Sequence, residues 1–339
     1  MANLQTTSRL GQSMTNLLTT SRRGHTLWKR LKKNSGFLFV LPAVLIFLVF
    51  GLYTIIYSFV LSFFRWKGSS IFSLFPPTCE APGCAFWGLQ NYKDFLYADA
   101  GVAKLFWMAM ENNLVVALVV PAATIIVSLL IAIALNRAGR VVPLFRTIMM
   151  LPMVTSGIAV YFAWSSIYLS DGPLNAMLNA AGLGFLSAPH GWLGTAGTAL
   201  PALMVVMIWS SVPLAVILYL AGLQTIDQEL YEAATIDGAN GWHMLWYITW
   251  PLLRPVTFII LIFAINSAFQ GFDLPLLMTK GGPANHTQVV GLRIFNFGFG
   301  DDLQLGIASA MGWVLFLLVF VISLINLRVF RPAAEEVKE

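Results

Sequence analysis

Six stretches of the chain run for about twenty residues with apolar side chains and no strong charge. They are Phe37–Phe64, Asn113–Leu135, Ile148–Leu169, Ala199–Leu223, Val256–Met278 and Ile307–Leu327. An α-helix of about 20 apolar residues crosses the hydrocarbon core of a bilayer, so the pattern predicts an all-α membrane protein with six transmembrane helices. Several runs contain proline (Pro42, Pro121, Pro152, Pro201, Pro213, Pro275). Lipid-buried helices tolerate proline where neighbouring helices or water satisfy the freed carbonyls, so kinks around a shared polar interior are expected. The first run follows a polar leader and holds no A-x-A site, which predicts a retained anchor.

With six spans both termini lie on one side, and the cations decide which. Arg9, Arg22, Arg23, Lys29, Arg30, Lys32 and Lys33 precede span one; Arg137, Arg140 and Arg146 fall in the second loop, Arg254 in the fourth, and Arg328, Arg331 and Lys338 after span six. These are fourteen of the twenty Lys and Arg residues, so both termini are expected in the cytoplasm. Arg65, Lys67, Lys93, Lys104, Lys280 and Arg293 lie in the opposite loops. The expected organisation is a basic tail over 1–36, with Thr26–Lys33 a short surface helix held near anionic lipid, a membrane domain over 37–330, and a tail over 331–339. Within the domain, 65–112 is an external loop and 224–255 a cytoplasmic one.

Composition changes the picture little. Charged residues make up 10% of the chain and hydrophobic ones 58%, against about a quarter charged in soluble proteins, so no water-soluble surface is available. The net charge of +5 comes from cations beside apolar runs, where they orient the chain, and nucleic-acid binding is discounted. Cys79 and Cys84 share the external loop, where they form either a disulfide or two free thiols.

The fourth loop is long and patterned. Thr225-Ile226-Asp227-Gln228 has capping-box spacing, with Asp227 and Glu229 at the positive end of a helix predicted to reach Ile236. Gly238 permits a turn. Asn240 can cap a second helix carrying Trp242, Leu245, Trp246 and Thr249 on one face, which Pro251 and Pro255 end. Two short helices at a bend on the cytoplasmic membrane surface are expected.

The same loop reads Glu232-Ala233-Ala234-Thr235-Ile236-Asp237-Gly238-Ala239, then Ile248-Thr249-Trp250-Pro251. This resembles the E-A-A signature of the permease subunits of binding-protein-dependent ABC importers; a chance match to its six fixed positions is on the order of one in ten thousand or less. Trp250 departs from the leucine usual before the proline. The resemblance implies the type I importer fold of a bacterial inner-membrane protein. It implies that Glu232, Ala233, Ala234, Asp237 and Gly238 form a coupling helix seated in an ATPase subunit. It also implies a second homologous permease, an ATPase dimer that uses ATP and Mg, and an extracytoplasmic solute-binding protein as partners, with no cofactor bound by this chain. No G-x-x-x-x-G-K-[ST] occurs, and His25, His190, His243 and His286 lack metal-ligand spacing, so the chain is read as a transport subunit and not an enzyme.

Polar groups within spans are costly and are candidates for a pathway lining. Asn266, Gln270 and Asp273, spaced by four and three, share one face of span five, either lining a path or bonding between helices. Trp209-Ser210-Ser211 in span four, with Tyr161 and Trp164 in span three, offers aromatic and hydroxyl groups suited to a sugar. Phe272-Asp273 and Thr279-Lys280-Gly281-Gly282-Pro283 resemble the carbohydrate-importer permeases, which implies a sugar cargo, with glycerol phosphate or another polyol as the alternative. That resemblance implies substrate contacts at Ser210, Ser211, Leu214, Ala268 and Gly271, a register offset from the polar face. An ion-coupled secondary transporter is the rival from another class; only Asp273 supplies an ionisable group for it.

Overall fold

The structure is a computed structural model, which describes residues 40–68, 72–74, 77–79, 84–137, 142–300 and 303–329. The basic leader, the Thr26–Lys33 helix and the tail over 331–339 lie outside these residues. The described chain forms two compact units, one reaching Val60 and one starting at Leu61.

The described part of the first unit is helix α1, Val40–Leu61, short of its last residue; the helix opens into a π turn over Phe47–Leu52. Tyr53 and Tyr57 pair one turn apart, with ring centroids at 6.0 Å.

The second unit begins with short antiparallel strands. Phe64–Arg65 (β1) pairs with Ala85–Phe86 (β4), and Phe72–Leu74 (β2) with Pro77–Cys79 (β3). Gln90–Lys93 (α2) continues as a π turn over Asp94–Ala98. Ala100–Arg137 (α3) follows, 38 residues long. At 1.5 Å per residue it measures about 57 Å, nearly twice the ~30 Å of a hydrocarbon core. Its excess length lies at the start, in the segment read from sequence as loop. There Phe95, Phe106, Ala109, Val290, Ala310 and Met311 form a buried core.

The predicted third span is not continuous. Val142–Val154 (α4) and Gly157–Ile167 (α5) meet at a bend of 105°. Pro152 cannot donate to the helical ladder in the last turn of α4, and Ser156 then leaves the helical region at ψ 129. Pro173–Ala180 (α6) leads to Ala196–Leu223 (α7), which agrees with the fourth predicted span. Gln228–Ile236 (α8) and Gly241–Leu252 (α9) fill the fourth loop.

Span five also differs from expectation. Arg254–Gln270 (α10) lies at 69° to α9, and it stops at Gln270 instead of running to Met278. Asp273–Met278 (α11) is a separate helix. Val290–Phe299 (α12), in a segment expected as loop, precedes the last long helix, Leu305–Val329 (α13). Arg293, read as a loop cation, therefore stands on a helix with its guanidinium over the Phe297 ring at 4.9 Å.

By length and composition, four of these helices can cross a membrane, or up to six if each bent pair counts as one span, among the described residues. The central packing is α3 against α7 and α10, where Leu129, Ala132, Val216, Tyr219, Leu220, Leu253 and Ile260 are buried together. Gly222 sets how closely the end of α7 approaches the α9–α10 junction. A Cβ there would lie 2.8 Å from Leu253 Cδ2 and 2.9 Å from Val256 Cγ2.

Candidate functional site

The E-A-A segment forms α8. Its cap is Asp227, whose Oδ1 accepts the Glu229 N–H at 3.1 Å. The capping box expected from Thr225 does not form, because the Thr225 hydroxyl donates to the Gly222 carbonyl at the end of α7. The helix ends in a Schellman turn: Ala239 N donates to Ala234 O at 2.9 Å and Gly238 N to Thr235 O at 3.1 Å. Gly238 sits at φ 81, in the left-handed region where a Cβ is strained. Glu232, Ala233, Asp237 and Gly238 are all exposed, and Ala234 is half-buried.

Asn240 caps α9 through the His243 N–H at 2.9 Å, as its position predicts. Pro251 does not end this helix; it lies in the last turn, and the chain bends at Leu253 before Pro255. Trp242, Trp246 and Trp250 follow one another along α9 with centroids 5.7 and 6.1 Å apart, the first pair edge to face and the second tilted. The Tyr231 hydroxyl pairs with the buried Thr249 hydroxyl at 2.9 Å and ties α8 to α9.

A second feature lies among α3, α4, α7 and α10. Ser210, Ser211 and Leu214 line a groove of about 230 Å³ together with Thr124, Met153, Ile260, Phe263, Ala264 and Ser267. Three of the five substrate positions implied by resemblance therefore meet. The other two do not: Ala268 is buried with its carbonyl bonded to Asn113, and Gly271 forms the C-cap of α10. Asn266 and Gln270 bond within their own helix, to Ile262 O and Asn266 Oδ1. Asp273 leaves their face altogether, because the helix breaks before it.

The sequence reading missed Thr124 and Ser267. Thr124 is 1% exposed, and its hydroxyl has no hydrogen-bond partner. Nothing in the sequence marks Thr124; the signal for Ser267 is its i+3/i+4/i+7 relation to Ile260, Phe263 and Ala264.

Near the far end of α10, the Tyr161 hydroxyl donates to Asp273 Oδ2 at 2.6 Å, linking α5 to α11. Trp164 packs on Trp209 at 5.6 Å and on Tyr168 at 5.3 Å. Because the Tyr161–Asp273 bond is exposed, Tyr161→Phe is expected to lower stability by no more than about 1 kcal/mol, read from thermal unfolding in detergent. Among the described residues, no group of three or more His, Cys, Asp or Glu side chains is placed to hold a metal.

A family model described as the inner membrane component of binding-protein-dependent transport systems matches residues 124–333. The multiple sugar-binding transport system permease protein of Streptococcus mutans is 30% identical over 89% of this chain and 97% of its own length. The lactose transport system permease protein of Rhizobium radiobacter is 33% identical over 88% of this chain and 94% of its own. A solved bacterial alginate ABC transporter, in complex with an alginate pentasaccharide-bound periplasmic protein, has a chain of the same fold. It superposes with a TM-score of 0.68 over 90% of this chain and 97% of that one, at 23% identity.

Proposed function

Because the chain belongs to the family of inner membrane components of binding-protein-dependent transport systems, we propose that it forms half of the translocation pathway of an ATP-driven sugar importer. The observation that carries the pathway is the groove. Ser210 and Ser267 are exposed at its rim in otherwise apolar helices, and Thr124 is an unpartnered hydroxyl in its wall. Hydroxyls facing lipid gain nothing, whereas hydroxyls facing a path opposite a second, homologous permease meet the hydroxyl rim of a saccharide. A sugar or oligosaccharide is favoured because the relatives above are named for sugar and lactose transport.

In this reading the fold is that of a type I importer, with the bent pair α4–α5 counted as one of six spans, α10 alone as another, and both termini cytoplasmic. The solute-binding protein docks on the opposite side; the alginate transporter's complex with a periplasmic protein supports that partner. Exposed α8 seats in one subunit of an ATPase dimer that binds ATP and Mg. The 69° bend and the indoles of α9 support its lying in the membrane interface, where tryptophan is favoured. On the external side we place a Cys79–Cys84 disulfide; Cys84 is disulfide-bonded and Cys79 is the sequence's other cysteine.

The test is uptake by the reconstituted importer carrying Ser211→Trp. The Ser211 hydroxyl donates to its own helix at Met207 O, 2.8 Å away, so Ser211→Ala should transport normally. The indole fills most of the groove and is expected to cut uptake at least tenfold in a complex that still assembles. Unchanged rate and specificity with tryptophan at position 210 and at position 211, at normal expression, would sink the pathway.

A further inference from the structure

A second recess, of about 320 Å³, opens beside β1 and β4, away from the groove and from α8. Arg65, Trp66, Lys67, Trp87, Asp94 and Asp99 line it. Pairing of β1 with β4 brings the indole that follows each strand to the same recess. The frame around it is tied from three directions. The Asn91 amide donates to Ser62 O at 2.8 Å and Phe64 O at 2.9 Å, Leu305 N donates to Trp66 O at 3.0 Å, and Trp87 N donates to Phe63 O at 2.8 Å. Asp94 accepts from Gln90 at 2.8 Å, and Asp99 caps α3 through Gly101 N at 2.9 Å. The Arg65 guanidinium lies 5.2 Å from the Trp87 ring centroid.

We propose that this recess binds one ring-sized unit of a neutral saccharide, separately from the groove. Flat apolar indoles suit the C–H face of a sugar ring. Two carboxylates accept from its hydroxyls, and a guanidinium and an ammonium donate to them. Two cations face two anions, so the formal charge of the lining is zero; an acidic sugar loses the hydration of its carboxylate there with no net positive charge to offset it, and a neutral one binds more tightly. The volume stands at the low end of the ~300–1,000 Å³ usual for small-molecule sites, which fits one ring and not a long chain. The inference rests on the saccharide-import reading, which places residues 65–112 on the side where the sugar arrives. The recess then holds sugar before it enters the groove.

The experiment measures lactose and trehalose binding to the full chain in lipid nanodiscs by saturation-transfer NMR. An alginate trisaccharide serves as the acidic competitor. With the groove blocked by Ser211→Trp, disaccharide binding is expected to persist, to weaken at least tenfold on adding Trp87→Ala or the isosteric Asp94→Asn, and to resist the competitor. No binding to the Ser211→Trp chain, binding indifferent to both added variants, or equal competition by the acid overturns the site. Trp87→Ala that spares disaccharide binding but loosens the solute-binding protein overturns it too, and makes the recess a protein contact. If the assembled importer takes up no sugar at all, the import reading fails on its own count; if uptake is lost with Ser211→Trp and unchanged by Trp87→Ala and Asp94→Asn, only the recess fails.

Discussion

An importer carrying Glu232→Lys is expected to lose at least nine-tenths of its uptake and of its transport-linked ATP hydrolysis, while the permease chain itself stays as stable as before. Glu232 is exposed, and its side chain accepts one bond, from Gln228 Nε2 at 3.1 Å a turn earlier in α8. A surface pair of that kind contributes only about 0.2–0.5 kcal/mol to the helix. The ends of α8 are held by other groups, Asp227 at one and the Gly238 turn at the other. Loss of function must therefore arise where α8 meets a partner. In the coupling reading Glu232 offers its anion to a cation of the ATPase, where a like charge costs several kcal/mol, and each ~1.4 kcal/mol is tenfold in association. Co-purification with mass spectrometry, followed by an ATPase assay, reads the effect, with Glu232→Gln expected to fall between wild type and lysine. A lysine variant that recovers the ATPase and hydrolyses ATP as wild type does would refute the coupling role.

The loop around Glu232 was legible because its determinants are local. Asn240 caps the next helix where expected, and Gly238 takes the positive φ that a C-terminal turn requires. Two local readings failed: Thr225 is not the cap, because its hydroxyl has a nearer acceptor in the last turn of α7, and Pro251 sits within the last turn of α9 instead of ending it. Spans four and six were legible for the same reason: hydrophobicity sets where a helix runs. It does not encode the direction of the helix axis. The 105° bend after Val154 and the stop at Gln270 interrupt runs that read as continuous. Those breaks decide which polar residues meet. A continuous span five puts Asp273 beside Asn266 and Gln270; the break sends it to Tyr161, and the groove takes Phe263, Ala264 and Ser267 from α10 instead. Thr124 was invisible for a related reason, since its unpaired hydroxyl is a property of the packed helices and not of its neighbours in sequence.

Asn113→Leu is expected to destabilise the chain by about 3 kcal/mol, roughly the cost of two orphaned polar groups at 1–3 kcal/mol each less a small packing gain. Asn113 is 0% exposed and was legible only as the first residue of an apolar run. In the structure it joins two helix ends from the side of a third. Its Nδ2 donates to Ala268 O at 2.9 Å, and its Oδ1 accepts Val290 N at 2.7 Å. Ala268 lies in the last turn of α10 and Val290 is the first residue of α12, so each group belongs to the set that a helix terminus leaves without an intrahelical partner. The neighbouring Asn112 donates to Gln288 O at 2.8 Å and strengthens the same tie. Leucine keeps the branching of asparagine, with bulkier methyl groups, but offers neither donor nor acceptor, and water cannot substitute at a site with no exposure. Its gain is limited to packing, because apolar contact within a membrane lacks most of the hydrophobic drive that it has in water. Thermal unfolding in detergent reads the loss, and faster hydrogen exchange at Val290 N–H locates it. A shift within about 0.5 kcal/mol would mean that Ala268 O and Val290 N find other partners, and that α10 stops at Gln270 for a reason other than this cap.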